Sequence, residues 1–150
     1  MRHPLLVLAL FIALTVGGGG LIGLAVETGG WYAGLVKPSF NPPPWVFGPV
    51  WGILYLLIGI AGWRVWRHRD GAALRLWWLQ LGLNFAWPLL FFGAQLIVPA
   101  LVVLLALLGA ILWFLRRTWT TDRPAALLFL PYAAWTAYAA LLNGAIWWLN

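Results

Sequence analysis

The chain has 150 residues, of which 64% are hydrophobic and only 8% charged, whereas soluble domains usually carry about 25% charged residues. A compact soluble domain of this size buries only about 70% of its surface, so it could not hide this much apolar surface from water. Cysteine is absent from the sequence, which excludes disulfides, thiolate metal sites and cysteine nucleophiles. The composition therefore predicts an integral membrane protein.

Five apolar segments follow one another along the chain. They lie at about residues 4–26, 45–66, 72–94, 97–115 and 124–149, and each approaches or exceeds the ~20 residues that a membrane-spanning helix needs. The first is longer than the usual signal-peptide core of about 7–15 residues, which favours a retained helix. The sequence thus predicts an all-α membrane protein, a five-helix bundle that forms a single domain over residues 1–150.

The cations are distributed unevenly between the two ends of the predicted spans. With five spans, one end carries eight cations and the other carries only Lys37. The eight are Arg2, Arg64, Arg67, Arg69, Arg75, Arg116, Arg117 and Arg123. Because loops rich in Lys and Arg stay in the cytoplasm, we expect the N-terminus inside and the C-terminus outside. The arginines then act as orientation signals and lipid-headgroup contacts, and they predict no nucleic-acid partner.

Glycines inside the predicted helices indicate close helix packing. Gly19 and Gly23 are small residues four positions apart, and Gly82 with Ala86 repeats this spacing on the third segment. In lipid, small residues let helix backbones approach closely. Such faces pack either within the bundle or between two copies of the chain, and the third segment is the candidate for a homodimer face.

The sequence offers little conventional catalytic chemistry. The acidic residues Glu27, Asp70 and Asp122 all lie at span ends, which argues against an ion-coupled transporter. His3 and His68 lie at the predicted cytoplasmic edge, where neither is placed to ligate a haem or metal inside the bundle. No zinc motif or phosphate-binding glycine loop is present. We therefore expect no metal site and no required cofactor.

Tryptophan is unusually frequent, with 13 in the chain. Those near span ends fit the interfacial belt of a membrane protein, namely Trp63, Trp66, Trp77, Trp78, Trp119, Trp147 and Trp148. Other side chains share helix faces at spacings of three and four: Trp51 with Tyr55; Asn84 with Trp87 and Phe91; Trp135 with Tyr138, Ala139 and Leu142. We expect these faces to meet in one cavity near the outer leaflet that suits a flat, largely apolar ligand.

Asn84 is the most informative single residue of these faces. An amide in hydrocarbon is costly when unpaired, so Asn84 is expected to face either another helix or a ligand. Asn143 leaves the same two alternatives, with structure favoured because it lies nearer a helix end.

Three stretches occur in the order and spacing typical of one known family. They are WYAGLVKPSFNPPPWVFGPVWGILY, LNFAWPLLFFGAQ and PYAAWTAYAALLN. Through them the chain resembles the translocator protein family, also called the peripheral benzodiazepine receptor or tryptophan-rich sensory protein family. The resemblance implies a five-helix bundle, often a homodimer, whose proline-rich first loop folds over a ligand pocket. Lys37 in that loop is either a headgroup anchor or a partner for a porphyrin propionate.

The resemblance also implies ligands and residues. The ligands are porphyrins such as protoporphyrin IX, together with benzodiazepine- and isoquinoline-type drugs. The implied pocket residues are Tyr32, Pro42, Pro43, Trp51, Tyr55, Asn84, Trp87, Phe91, Trp135, Tyr138 and Ala139. One alternative function is light-driven oxidative breakdown of porphyrin, with Trp51 and Trp135 as the catalytic residues. Another is sterol or lipid transport or scaffolding, which is disfavoured because Gly144 stands where animal members carry the Tyr of a proposed cholesterol motif.

Overall fold

The computed structural model describes residues 3–150, which are mostly helical and contain no β-strand. Arg2, one of the cations counted above, lies outside the described residues. In chain order the helices are α1 (Pro4–Ile12), α2 (Gly18–Ala25), α3 (Gly30–Gly34), α4 (Pro44–Arg67), α5 (Gly71–Pro88), α6 (Ile97–Thr121) and α7 (Arg123–Leu149). Two π-helical turns extend this set: Ala13–Gly17 joins α1 to α2, and Leu89–Gly93 follows α5 directly.

The helix ends follow local chemistry more closely than hydropathy. Asp70 caps α5 by accepting a hydrogen bond from the Ala73 N–H at 3.1 Å, and Asp122 caps α7 through the Ala125 N–H at 3.5 Å. The fourth apolar segment ends near residue 115, but α6 continues to Thr121. Apolarity marks where hydrocarbon contact ends, and a helix can extend beyond it into the headgroup region.

Four helical stretches are long and apolar enough to cross a membrane, judged by length and composition. They are Pro4–Ala25, Pro44–Arg67, Ile97–Thr121 and Arg123–Leu149. The third predicted segment, residues 72–94, is not among these four, although its residues are helical from 71 to 93. Arg75, Gln80 and Asn84 lower its average hydropathy, which is the physical reason for the difference.

The long helices pack side by side in a ring. α6 lies between α5 and α7, and α7 also packs on α4. α1 packs on α4, while α2 contacts both α4 and α5, and this closes the ring. Inside it, the Phe114 and Phe129 rings stack at 4.1 Å, and Phe129 meets Tyr132 edge to face at 5.3 Å. Outside it, large apolar side chains such as Leu24 and Leu141 are exposed, as expected of a surface in contact with lipid.

Two glycines allow helices and rings to approach within the bundle. A side chain at Gly19 would collide with the ring of Tyr55, and one at Gly62 would collide with the ring of Trp77. Thr15 supports the first approach, because its hydroxyl donates to the Tyr55 carbonyl at 2.7 Å. Glycine packing at these positions therefore acts within one chain, whereas Gly82 faces open space.

Candidate functional site

A row of aromatic rings crosses the bundle from α4 to the π-helical turn after α5. Trp51 and Tyr55, one turn apart on α4, stack with ring centroids 5.5 Å apart. Trp87 lies 6.3 Å from Trp51, and Phe91 lies 5.9 Å from Trp87. We refer to Trp51, Tyr55, Trp87 and Phe91 as the ring row. These predicted site residues are therefore brought together, and their rings pack on one another.

Asn84 lies beside the ring row at the centre of a buried hydrogen-bond network. The Tyr55 hydroxyl donates to Asn84 Oδ1 at 2.8 Å, and Asn84 Nδ2 donates to the Tyr132 hydroxyl at 2.7 Å. Tyr132 in turn donates to Gln80 Oε1 at 2.8 Å. The Asn84 amide is thus paired with α4 and α7, which is the helix-partner alternative stated above. The network links three helices, α4, α5 and α7.

Sequence reasoning missed Gln80 and Tyr132 as members of this network. Gln80 is fully buried and precedes Asn84 by one turn on the same face of α5. Tyr132 is fully buried and lies three residues before Trp135 on α7. The available signal was a second amide one turn from Asn84 inside an apolar segment, because two buried amides on one face need partners on neighbouring helices.

A second polar contact joins α5 to α7 about one turn beyond Asn84 on α5. Trp87 Nε1 donates to Asn143 Oδ1 at 3.1 Å, and Asn143 Nδ2 donates to the Ile97 carbonyl at 3.0 Å. Asn143 is almost fully buried. Asn143 therefore connects α7 both to α5 and to the first turn of α6.

Two buried donors on α7 have no hydrogen-bond partner within residues 3–150. They are Trp135 Nε1 and Thr136 Oγ1. Trp135 packs against Phe47 at 5.9 Å and Tyr138 at 5.5 Å. Thr136 is fully buried, one turn after Tyr132 on the same helix face. A buried donor without an acceptor costs about 1–3 kcal/mol, so each is a point where an acceptor would stabilise the bundle.

A short loop borders one end of the ring row. We define the lid as residues 35–43, between α3 and α4. Tyr32, at its base in α3, meets Phe91 and Phe92 edge to face at 6.1 and 5.2 Å. The Tyr32 hydroxyl donates to Asn41 Oδ1 at 3.4 Å. Burial raises the pKa of the Tyr32 hydroxyl above its ordinary value, and the hydrogen bond to Asn41 opposes this shift only in part.

Lys37 of the lid contacts the Tyr32 ring and a nearby backbone carbonyl. Its ammonium lies 4.5 Å from the Tyr32 ring centroid and donates to the Leu35 carbonyl at 3.2 Å. Pro42 is half-buried, whereas Pro43 is exposed at the start of α4. Of the two predicted lid prolines, only Pro42 is therefore partly covered by the protein.

The remaining predicted residues lie on α7 beneath the lid. The Tyr138 hydroxyl donates to the Phe40 carbonyl of the lid, and the two rings are 6.4 Å apart. Ala139 is buried in the same core cluster as Tyr55 and Tyr132. Trp135 packs against that cluster and against α4 through Phe47. The predicted α7 face thus borders the lid, and Tyr138 connects the two.

The opposite end of the bundle is held by charged pairs. Arg64 Nη2 binds Asp122 Oδ1 at 2.8 Å, and Arg117 Nη2 binds Asp70 Oδ1 at 3.1 Å. Burial alone would raise the pKa of Asp70, but hydrogen bonds from Arg117, the Ala73 N–H and the Thr121 hydroxyl outweigh it, so that its pKa is lowered. These two charged pairs and the ring row therefore occupy different ends of the helices.

The apolar outer surface, the four long apolar helices and the buried aromatic and amide interior define a polytopic α-helical membrane protein. Residues 10–149 match the profile of the TspO/MBR family. The chain belongs to this family.

Relatives in all three domains of life share most of its length. It is 40% identical over 148 residues to the tryptophan-rich protein TspO of Archaeoglobus fulgidus, covering 97% of this chain and 96% of the relative. It is 44% identical over 123 residues to the translocator protein of Homo sapiens, covering 78% and 73%. It is 38% identical over 119 residues to the tryptophan-rich sensory protein of Cereibacter sphaeroides, covering 75% and 72%.

Proposed function

We propose that this membrane protein binds tetrapyrroles of the protoporphyrin IX type, as a sensor, carrier or sink, at the ring row beneath the lid. The observation that carries the proposal is the convergence of Trp51, Tyr55, Trp87 and Phe91 beside a buried amide. Flat apolar ligands gain from stacking on such rings, while a few polar groups set their orientation. The ligand is cargo, and the protein requires no resident cofactor.

Two unpartnered donors support a polar contribution to binding. Trp135 Nε1 and Thr136 Oγ1 are buried near this core without an acceptor in the described chain. A porphyrin carries carboxylates and ring nitrogens, which can accept hydrogen bonds. Satisfying such a donor recovers part of the cost of its burial, so it favours the occupied state.

Binding at this place requires the rings to separate. Trp51, Trp87 and Phe91 now occupy the space between α4 and the π-helical turn, so a porphyrin must displace at least one of them. π-helical turns are frequent at functional sites, and the turn at Leu89–Gly93 carries Phe91 and Phe92. We propose that this turn and the lid move apart while the ligand enters, and that the lid closes again over the bound ligand. Lys37 then either remains against Tyr32, as a headgroup anchor, or pairs with a propionate.

We propose that residues 71–93 form a fifth membrane span, next to the four apolar ones. Their 23 helical residues would reach about 34 Å at ~1.5 Å per residue, which matches the ~30 Å hydrocarbon core. The same residues pack between α2 and α6 in the ring, and Arg75 sits at the charged end. With five spans the arginine-rich end is cytoplasmic, which places the N-terminus inside and the C-terminus outside.

We also propose a homodimer through the outer face of α5. Gly82 is exposed there and faces open space, while Ala86 is half-buried one turn further on. Small residues at this spacing allow a second helix to approach closely in lipid.

A second candidate function is oxidative, light-dependent breakdown of the bound porphyrin. The specific observation is that Trp51 lies between two other oxidisable rings, Tyr55 and Trp87. Dioxygen is the oxidant: the excited porphyrin takes an electron from an indole and passes it to dioxygen, which becomes superoxide. The indole radical, whose charge the neighbouring rings can share, recovers its electron from the porphyrin, and the porphyrin radical combines with superoxide to give an oxygenated product. Trp135 is the second proposed donor, with Tyr138 at 5.5 Å.

Binding is tested by titrating the purified protein in nanodiscs with protoporphyrin IX and following the Soret absorption. A Trp51→Ala, Asn84→Ala double variant should lose most of the affinity. The matched control is Trp148→Ala, which removes a tryptophan that is 83% exposed on the outer surface, near the C-terminal end of α7. Equal affinity in the double variant and the wild type would exclude the ring row as the site.

Photochemistry is tested separately by illuminating the loaded protein. Trp51→Phe and Trp135→Phe should slow the loss of porphyrin while leaving its binding largely intact. Degradation at the wild-type rate in both variants would show that these tryptophans are not electron donors, and the binding proposal would stand without the enzyme.

A further inference from the structure

Asn150, directly after α7, holds the lid by its backbone. The Val36 N–H donates to Asn150 Oδ1 at 3.0 Å, and Asn150 Nδ2 donates to the Val36 carbonyl at 2.9 Å. The amide thus offers Val36 the donor and acceptor that a neighbouring β-strand would offer. Asn150 Nδ2 also donates to the Ile146 carbonyl at 2.7 Å, which orients the amide on the last turn of α7.

Beside Val36, Leu35 packs against the buried cluster that contains Phe91 and Ile146, but Val36 itself has little other attachment to the bundle. The Val36 side chain is 56% exposed, so apolar burial contributes little there. On one side the lid continues from α3, whose Trp31 and Tyr32 rings pack on the π-helical turn. On the other side Tyr138 donates to the Phe40 carbonyl. Between these two attachments, Asn150 supplies the hydrogen bonds that join the lid to α7.

We infer that Asn150 is a positioning residue that latches the lid and sets how fast ligand exchanges at the ring row. The ligand part of this inference rests on the proposed function. A porphyrin reaches the rings only when the lid leaves α7, and it leaves by the same route. Weakening the latch therefore raises the rates of uptake and release together and changes the affinity little, because the closed state is weakened with and without ligand.

Three variants separate this role from a general effect on α7. Asn150→Ala removes both hydrogen bonds to Val36. Asn150→Asp keeps an acceptor for the Val36 N–H but cannot donate to the Val36 carbonyl, so an intermediate effect is expected. Leu149→Ala is the control, since it truncates a 44% exposed side chain at the same helix end that makes no hydrogen bond to the lid.

The first experiment needs no ligand. Hydrogen–deuterium exchange followed by mass spectrometry measures opening of residues 35–43 in the full chain in nanodiscs. In Asn150→Ala these amides should exchange roughly fivefold faster, as expected when two solvent-exposed hydrogen bonds, each at the low end of the usual net contribution, are lost. Exchange in α4 should stay unchanged. An exchange rate in residues 35–43 equal to that of the wild type or of Leu149→Ala would overturn the latch.

The second experiment measures protoporphyrin IX association and dissociation by stopped flow. Asn150→Ala should raise both rates roughly fivefold, with the equilibrium affinity changed less than about twofold. A faster release with unchanged uptake would make Asn150 an ordinary ligand contact and overturn the gating role. If the wild type shows no saturable binding, the proposed function fails, whereas the exchange experiment still decides whether Asn150 holds the lid.

Discussion

Replacing Asn84 by leucine tests whether the buried amide network stabilises the bundle. The substitution keeps a side chain of similar size but removes the acceptor of the Tyr55 hydroxyl and the donor to the Tyr132 hydroxyl. Interhelical hydrogen bonds in membrane proteins contribute about 0.6 kcal/mol each, so two of them contribute about 1.2 kcal/mol. Tyr132 keeps its bond to Gln80, but the Tyr55 hydroxyl is left buried without an acceptor, which costs about 1–3 kcal/mol more.

We therefore expect Asn84→Leu to lower the free energy of unfolding by roughly 2–4 kcal/mol. The assay is reversible unfolding in mixed micelles with increasing SDS, followed by circular dichroism. Adding Tyr55→Phe removes the orphaned hydroxyl, so the double variant should be no less stable than Asn84→Leu alone. The reasoning is refuted if Asn84→Leu stays within about 0.5 kcal/mol of the wild type, or if the two single losses simply add.

Three further predictions concern packing, charge and assembly. Gly62→Ala should destabilise the bundle by about 1–3 kcal/mol, because the new methyl meets the buried Trp77 indole. Gly52→Ala on the same helix, whose methyl would meet no atom within 4 Å, should leave stability unchanged. Thermal unfolding in detergent compares the two variants, and equal stability would contradict the close approach. The pKa of Asp70 is lowered from an ordinary value near 3.8, so its stabilising effect is complete above that value and is lost as the pH falls through the lower folded-state pKa. The difference in unfolding midpoint between the wild type and Asp70→Asn should therefore be present at neutral pH and disappear in strong acid, and a difference that persists there would exclude the charged pair as its source. Gly82→Leu should convert the proposed homodimer to a monomer in light-scattering measurements. Gly23→Leu on α2, a position that also faces open space, should leave the dimer intact. An unchanged mass in Gly82→Leu would exclude this face of α5 as the dimer interface.

The all-helical membrane fold follows from the sequence because hydrocarbon length and backbone hydrogen bonding leave few alternatives. The ring row is equally readable, since spacings of three and four place Trp51 with Tyr55, and Asn84 with Trp87, on common faces. The hydrogen-bond partners of Asn84 cannot be predicted in this way. A sequence shows that an amide in lipid needs a partner, but helix rotation and neighbour order decide that the partners are Tyr55 and Tyr132.

The lid contact at Asn150 shows a second limit of sequence reasoning. It joins the Asn150 side chain to the backbone of Val36, 114 positions away, and no side-chain pattern in the sequence predicts it. Hydropathy likewise misplaces the end of α6, because arginine and threonine continue a helix beyond the hydrocarbon. Residues 71–93 show the reverse effect, since the polar side chains that form the network also reduce the apolar signal of their own helix.

The two charged pairs, Arg64–Asp122 and Arg117–Asp70, give the bundle an uneven resistance to deformation. Both lie at the end away from the lid, where each joins a helix to a connection between two other helices, and in the Arg64–Asp122 pair the carboxylate is almost completely shielded from solvent. The lid end is held by aromatic contacts and a few neutral hydrogen bonds, which yield more readily to sideways force. Thermal motion should therefore move the helix ends near the lid more than the ends joined by the arginines. Such motion would widen the space around the ring row and leave the charged end unchanged.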